Sequence, residues 1–266
     1  MLSIKNYVRA QSLEEAYQLD QKKRNCVLGG MLWLRMSDIS IDTAIDLGDL
    51  GLDTVTAEGD RVLLGSYVTL RQLETDPLLK EAFGGACEKA VRDIVGIQFR
   101  DMATVGGSIW GRFGFSDVLT LFLALGADVE LYHAGTVPLE RFIGMKPDRD
   151  ILVRLSVPRP VGPVAYRAAR LNRTDFPLLT CCAAQTAEGL RIAIGARPGR
   201  AVLLRDEEGL LRDGVDRASA DALARRCAAQ VQTGTNSRGS AAYRTRLVRT
   251  LVRRCLLELG GMPDEA

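Results

Sequence analysis

Ile97-Gln98-Phe99-Arg100-Asp101-Met102-Ala103-Thr104-Val105-Gly106-Gly107-Ser108-Ile109, followed after Trp110 by Gly111-Arg112-Phe113-Gly114-Phe115-Ser116-Asp117, is the stretch from which the fold is read. Its double glycine follows a strand-like apolar segment. An earlier pair, Gly29-Gly30, closes the apolar segment Asn25 to Leu28 and leads into Met31 to Met36, whose apolar residues stand at helical spacing. Backbone N–H groups freed at such turns form anion-binding concavities, and a helix start adds favourable partial charge. A glycine pair at a strand end also serves as a plain turn. Neither G-x-G-x-x-G nor G-x-x-x-x-G-K-[ST] occurs, so no Rossmann or P-loop phosphate site is supported.

Outward from these turns the chain reads as alternating short elements. Ser12-Leu-Glu-Glu15 has the pattern of a capping box and predicts a helix from about Leu13 to Lys22. Thr43 to Leu47 and Arg61 to Ser66 are strand candidates, and Thr69 opens a short helix toward Thr75. Pro77 suits a helix start, and Leu78 to Val91 carries one apolar stripe. Between Gly96 and Gly114 the chain is glycine-rich; Asp117 then caps an apolar helix to about Leu125, before the strands Asp128 to Tyr132 and Ile151 to Val157. Pro158-Arg-Pro160 marks a domain boundary. Beyond it, Val164 to Leu171, Leu178 to Thr186, Leu190 to Gly195 and Ala201 to Leu204 read as strands, and Ser219 to Gln232 and Ser240 to Leu259 as helices, an α+β order.

Composition narrows the function. With 266 residues, 47% hydrophobic and 26% charged, the chain is globular and long enough for one large or two modest domains. Val118 to Ala127 is the longest apolar run and is too short for a bilayer span; Lys5, Arg9, Glu14 and Glu15 do not fit a secretion signal, so a cytoplasmic protein is expected. The six cysteines include no C-x-x-C pair, which argues against a bound iron-sulfur cluster. His133, the only histidine, reads as a solvated turn residue. Residues 1–158 hold 17 basic and 22 acidic side chains, residues 159–266 hold 18 and 11, and all 18 bases of the second part are Arg. The aromatics needed to stack bases are missing there, so nucleic acid is not the expected partner; Arg244, Arg246, Arg249, Arg253 and Arg254 are expected on the solvent side of the last helix.

The motif around Thr104 to Asp117 resembles the FAD-binding, or medium, subunit of the xanthine dehydrogenase and aerobic carbon monoxide dehydrogenase family of molybdenum hydroxylases. That family carries Q-I-R-N, then T-I-G-G-N-I, then an Asp after A-S-P. Leu28-Gly-Gly-Met-Leu-Trp33 stands where the family has A-G-G-T-D-L. The opening Leu-Glu-Glu-Ala, the central Thr-Ala-Ile-Asp-Leu and the closing Ala-Tyr-Arg-Thr-Arg-Leu-Val follow in the family's order, so the resemblance spans nearly the whole chain.

The resemblance implies an α+β chain in two parts. Residues 1–158 would form a two-lobed vanillyl-alcohol-oxidase-like (PCMH-type) FAD-binding domain, with lobes of about 1–55 and 56–158. Residues 163–262 would form a smaller α+β C-terminal domain with an antiparallel sheet plus helices. It places the FAD pyrophosphate on the backbone of Val27, Leu28, Gly29, Gly30, Met31, Leu32 and Trp33. Thr104, Val105, Gly106, Gly107 and Ser108 would lie on the flavin and ribityl side, Ile94 near the adenine, and Leu152 beside the cofactor. Arg167 matches a basic residue early in the second domain. Asp117 would accept from hydroxyls of the cofactor's sugar portion, which suits an acceptor-only carboxylate. The implied role is electron transfer within a complex. A large subunit holds molybdopterin, a small subunit holds two [2Fe-2S] clusters, and FAD passes electrons to NAD or another acceptor.

Several residues depart from the pattern. Met31-Leu32 replaces T-D, Ser108 replaces Asn, and Arg112-Phe113-Gly114 replaces A-S-P. Backbone contacts survive such changes, so FAD is still expected; a docking subunit without FAD and a self-contained FAD oxidoreductase are the alternatives. Arg112 reads either as a phosphate partner or as an exposed loop arginine. Trp33 reads as cofactor-packing or as core, and Asp117 as cofactor ligand, helix N-cap, or both. Cys181-Cys182 in a strand points one thiol to each face, both expected to be buried.

Overall fold

In the computed structural model, which describes residues 1–263, the chain opens with β1 (Ser3–Arg9), α1 (Leu13–Asp20), β2 (Cys26–Val27) and β3 (Ser40–Asp46). These strands form a parallel sheet in the order β1-β3-β2, with Tyr7 opposite Ala44 and Val27 opposite Ile45. α1 starts at Ser12, whose hydroxyl accepts from the Glu15 amide at 3.1 Å. The Glu15 carboxylate takes the Gln11 amide at 2.7 Å, one residue before the partner a strict capping box uses, and the helix stops at Asp20. The expected helix from Met31 to Met36 shrinks to a single 3-10 turn, Leu34–Met36, because Met31 adopts φ +59.

The second lobe runs β4 (Val55–Glu58), β5 (Arg61–Gly65), α2 (Leu70–Thr75), α3 (Pro77–Phe83), α4 (Ala86–Val91), α5 (Ile97–Met102), α6 (Val105–Trp110) and α7 (Asp117–Leu125). It ends with β6 (Asp128–Leu131), β7 (Gly135–Pro138), α8 (Leu139–Phe142) and β8 (Leu152–Pro158). Its strands pair antiparallel in the order β4-β5-β8-β6-β7, with Leu64 opposite Leu155. The single helix expected from Leu78 to Val91 is two, since Gly84 and Gly85 both take left-handed φ, 59 and 79, and break the hydrogen-bond ladder. Two short helices, α5 and α6, occupy the glycine-rich stretch. Ser116, not Asp117, caps α7: its Oγ accepts from the Leu119 amide, which frees Asp117 to point elsewhere. All nine residues of α7 are buried, since it packs against both β8 and the sheet of the second domain.

That domain contains β9 (Val164–Ala169), β10 (Leu179–Thr186), β11 (Gly189–Gly195), β12 (Val202–Arg205), α9 (Arg217–Gln230) and α10 (Ala241–Leu259). The sheet is antiparallel, β12-β11-β10-β9, with α10 on one face and α7 on the other. Cys181 and Cys182 enter the two cores on its opposite faces, and burial pushes both thiols up. Arg244 departs from the expected solvent side. It is 1% exposed, and its guanidinium donates to the Leu178, Gly234 and Gly239 carbonyls and to Asn236 Oδ1. Those loops lie beside its first helical turn and offer four acceptors. The chain is a two-domain α+β protein held together by α7. Phe122 is fully buried in that helix. Phe122→Ala is expected to cost about 3–5 kcal/mol, measured by chemical denaturation of both domains.

Candidate cofactor cleft

The two glycine pairs converge. A Cβ on Gly30 would lie 1.8 Å from the Met102 carbonyl oxygen, so only glycine lets these backbones touch. A Cβ on Gly29 would lie 3.1 Å from Thr104 Oγ1 and 3.9 Å from Gly107 Cα. Gly106 rests on Ser66, donating its N–H to the Ser66 carbonyl at 2.9 Å.

The two turns differ in what they leave free. At the second, the Val105 amide donates to Val68 O, Gly106 to Ser66 O, Gly107 to Thr104 Oγ1 and Ser108 to Thr104 O. The expectation that both turns offer free amides therefore fails there, because the Ser66 and Val68 carbonyls take two of them and Thr104, the cap of α6, takes the other two. At the first turn Leu28 is the last amide engaged, donating to Ile45 O at 2.8 Å. The amides of Gly29, Gly30, Met31, Leu32 and Trp33 find no acceptor among the described residues. Met31 takes φ +59 and Trp33 is right-handed helical, so the backbone reverses hand within this turn.

Two adjoining clefts, of about 550 and 490 Å³, share Gly29, Thr104 and Gly107 as a common strait. Of the residues singled out in the sequence, Gly30, Met31, Leu32, Trp33, Ile94, Ser108 and Asp117 line the first cleft. Leu28, Gly106 and Leu152 line the second, and Val27, Gly29, Thr104 and Gly107 line both. Val105 is fully buried and lines neither. Arg167 also lines neither: its Nη2 lies 2.8 Å from Glu258 Oε2, on the far side of β9 from Tyr166 and Asp117.

The first cleft is apolar and lies between the domains. Trp33, 43% exposed and so not core, meets Phe113, Phe115 and Phe176 with centroids 5.6–5.9 Å away. Ile94 is held from behind, because Arg100, paired with Glu74, donates to the Ile94 carbonyl at 3.0 Å. Val95, next to it, is a β-branched residue at φ +49, strain placed at the cleft edge. Asp117 is 4% exposed, and its Oδ1 accepts from Tyr166 Oη at 2.6 Å and Arg170 Nη2 at 2.5 Å. Burial pushes this carboxyl up, and the two donors oppose the rise. Burial also lowers the Arg170 guanidinium, but Asp117 outweighs that and holds it above its ordinary value. The pair ties α7 to the second domain at the cleft floor. Arg112 fits neither expectation: it is buried, its guanidinium 4.0 Å over the Phe142 ring, and it lines neither cleft. His133 is exposed and stacks on Tyr17.

The second cleft is the more polar of the two, and most of its polar residues carry no signal in the sequence. Tyr67 is placed by fold alone: its hydroxyl donates to Leu28 O at 2.5 Å and accepts from the Leu47 amide at 3.0 Å. Ser66 Oγ is buried without a partner. Asp20, at the end of α1, is pushed up to about 6 by burial, with Arg149 and the Val27 amide opposing. Among the described residues no three His, Cys, Asp or Glu side chains are grouped to hold a metal ion, and no helix is long and apolar enough to cross a membrane.

Because the folded chain holds the Asp20 proton more tightly than the unfolded chain, stability falls as pH rises from about 4 to about 6 and then levels. Asp20→Asn removes that cost. Its stability should match wild type at pH 4 and exceed it by on the order of 1–3 kcal/mol at pH 8, read from denaturation curves at both values.

Comparison with known proteins accounts for the arrangement. A family model described as the FAD binding domain in molybdopterin dehydrogenase matches residues 2–160, and one described as the CO dehydrogenase flavoprotein C-terminal domain matches residues 164–259. The protein YgfM of Escherichia coli K12 is 26% identical over 258 residues, with 94% of each chain covered. The nicotine 6-hydroxylase medium subunit of Paenarthrobacter nicotinovorans is 26% identical over 277 residues, with 96% of each covered. The solved carbon monoxide dehydrogenase of Hydrogenophaga pseudoflava contains a chain of the same fold, with a TM-score of 0.86 at 22% identity and 96% of each chain covered. This chain belongs to the family of FAD-binding subunits of the molybdenum hydroxylases of xanthine dehydrogenase and carbon monoxide dehydrogenase type.

Proposed function

We propose that the chain holds one FAD across both clefts, its diphosphate on the amides of Gly29 to Trp33, and serves as the electron-transfer subunit of a molybdenum hydroxylase. The observation that carries this reading is the run of five amides without a protein acceptor, which begins at Gly29, where two clefts of ring-sized volume meet, and continues along the wall of the first. Unpaired N–H groups at such a point favour a doubly charged anion. The clefts and the amides fit the cofactor that the family model describes.

When bound, FAD supplies a ring that takes up electrons and passes them on. The residues of this chain bind and orient it. Trp33, Phe113, Phe115 and Phe176 offer stacking faces and keep water from the first cleft, whose walls come from both domains. That wall chemistry suits the isoalloxazine, which moves Ile94 from the adenine end to the flavin end. Val105 acts from behind the strait, and Arg167 is outside the site. Residues 1–158 provide every donor amide, and residues 163–262 close the first cleft through Arg170, Asp175 and Phe176.

Electrons would come from the [2Fe-2S] clusters of a small partner subunit, fed by a large molybdopterin subunit, in the cytoplasm, and leave to NAD or another acceptor. The nicotine 6-hydroxylase relative is itself a medium subunit, which supports an assembly. A self-contained oxidoreductase is disfavoured because the acids of the first cleft are engaged: Asp117 by Arg170 and Tyr166, Asp175 by Arg238 and the Phe176 amide. A docking role without FAD would leave the amide run unused.

Apo chain should bind FAD with one-to-one stoichiometry, seen as quenching of flavin fluorescence. Gly30→Ala should weaken that binding at least tenfold while the fold persists by circular dichroism, because the new methyl displaces the loop from Met102. Anaerobic NADH should bleach the bound flavin; bleaching by dithionite alone would assign another acceptor.

A further inference from the structure

We propose that Arg112 holds an uncancelled positive charge behind the wall of the first cleft and thereby raises the reduction potential of the flavin bound there. This rests on the FAD reading above and adds a residue that sets how readily the bound ring accepts electrons.

Arg112 is 8% exposed, and its Nε and Nη2 are buried without a hydrogen-bond partner among the described residues. Two aromatic rings hold it instead. Its guanidinium carbon lies 4.0 Å from the centroid of the Phe142 ring and 5.3 Å from that of Trp110, and those rings are tilted 44° to each other with centroids 5.9 Å apart. The negative faces of such rings attract a cation but carry no net charge, so they keep the guanidinium in place without neutralising it. The backbone is committed too. Arg112 takes φ +47, a conformation an arginine adopts at a cost, and its amide donates to the Ile109 carbonyl at 3.1 Å. Burial lowers Arg112 below its ordinary value, with Asp148 opposing the fall and Arg200 adding to it, yet an arginine stays charged at neutral pH. Asp148 acts from the wall of the second cleft and does not bond the guanidinium.

The rings place this charge at the first cleft. Trp110 is half-buried and lines it, as do Gly111 and Phe113, the residues on either side of Arg112, so the guanidinium stands one indole behind the wall. The other guanidiniums around that cleft are cancelled by carboxylates: Arg170 by Asp117 at 2.5 Å, Arg100 by Glu74 at 2.9 Å and Arg238 by Asp175 at 3.3 Å. Arg112 also stands at one of the positions where this chain departs from the family's pattern. Two electrons and one proton turn the neutral oxidised isoalloxazine into a reduced ring with one negative charge. A fixed positive charge nearby therefore favours the reduced form. At about 10 Å and an effective dielectric constant of about 20, one unit charge biases that equilibrium on the order of tenfold.

The test is an anaerobic reductive titration of FAD-loaded full-length chain against a reference dye at about pH 7.5, where lysine carries its charge. Wild type is compared with Arg112→Lys, which keeps the charge, and with Arg112→Met and Arg112→Gln, which remove it. Circular dichroism checks the fold, and the Gln variant serves if the Met variant does not fold. At equal dye potential the ratio of reduced to oxidised flavin should fall about tenfold in the neutral variants, a shift of about 30 mV to lower potential for a two-electron couple. The Lys variant should stay near the wild-type ratio. Neutral variants that hold FAD at the wild-type potential overturn the proposal. So does a Lys variant shifted as far as the Met variant, which would make packing rather than charge responsible. A wild-type chain that takes up no FAD removes the cofactor reading and this inference with it; FAD bound at an unchanged potential removes this inference alone.

Discussion

The contact between Gly30 and the Met102 carbonyl sets the geometry of the whole first domain. Two lobes, built on different sheets, meet at a point where a side-chain carbon would sit 1.8 Å from an oxygen, and only the missing Cβ permits it. With the backbones in contact, the strand end at Leu28 cannot pass its hydrogen-bond register to the residues that follow. The chain turns through a left-handed Met31, and the five amides from Gly29 to Trp33 are left without an acceptor among the described residues. A separation of a few ångströms would merge the clefts and dilute the cluster of partial positive charge between them.

Around that contact the molecule divides labour by polarity. On one side aromatic rings from both domains make an apolar chamber; on the other, hydroxyls and carboxylates make a more polar one. The Asp117–Arg170 pair fixes the first chamber's floor by joining α7 to the second domain, and the pair is tolerable in a buried place because Tyr166 adds a further donor. α7, buried on every side, carries that fixation into the core shared by the second lobe and one face of the second-domain sheet.

Much of this was legible in residue order. The second-domain strands lie within two residues of where alternation and turn residues put them, and Cys181 and Cys182 divide between two cores as a strand's period requires. The glycine pairs announced the cleft. What stayed hidden had physical reasons. β1 is an edge strand with nearly every side chain exposed, so no apolar alternation marks it. The break at Gly84-Gly85 lies inside a continuous apolar stripe, and the stripe alone cannot show that both glycines turn left-handed. Arg244 reads as solvent-facing on any helical wheel, yet distant loops fold over it with carbonyls. Asp20 and the adjacent Ser66 and Tyr67 reach the second cleft only through the meeting of segments far apart in sequence, and Arg167 misses the first cleft because alternation along β9 sends it to the face opposite Tyr166.

The central claim is that the Gly29 to Trp33 amides are the diphosphate's grip. A crystal structure of the chain with FAD tests it most directly. Phosphate oxygens are expected at about 3 Å from several of these nitrogens, with one ring system in each cleft. A dinucleotide bound with its phosphates in solvent, or on the already bonded amides of residues 105–108, would contradict it.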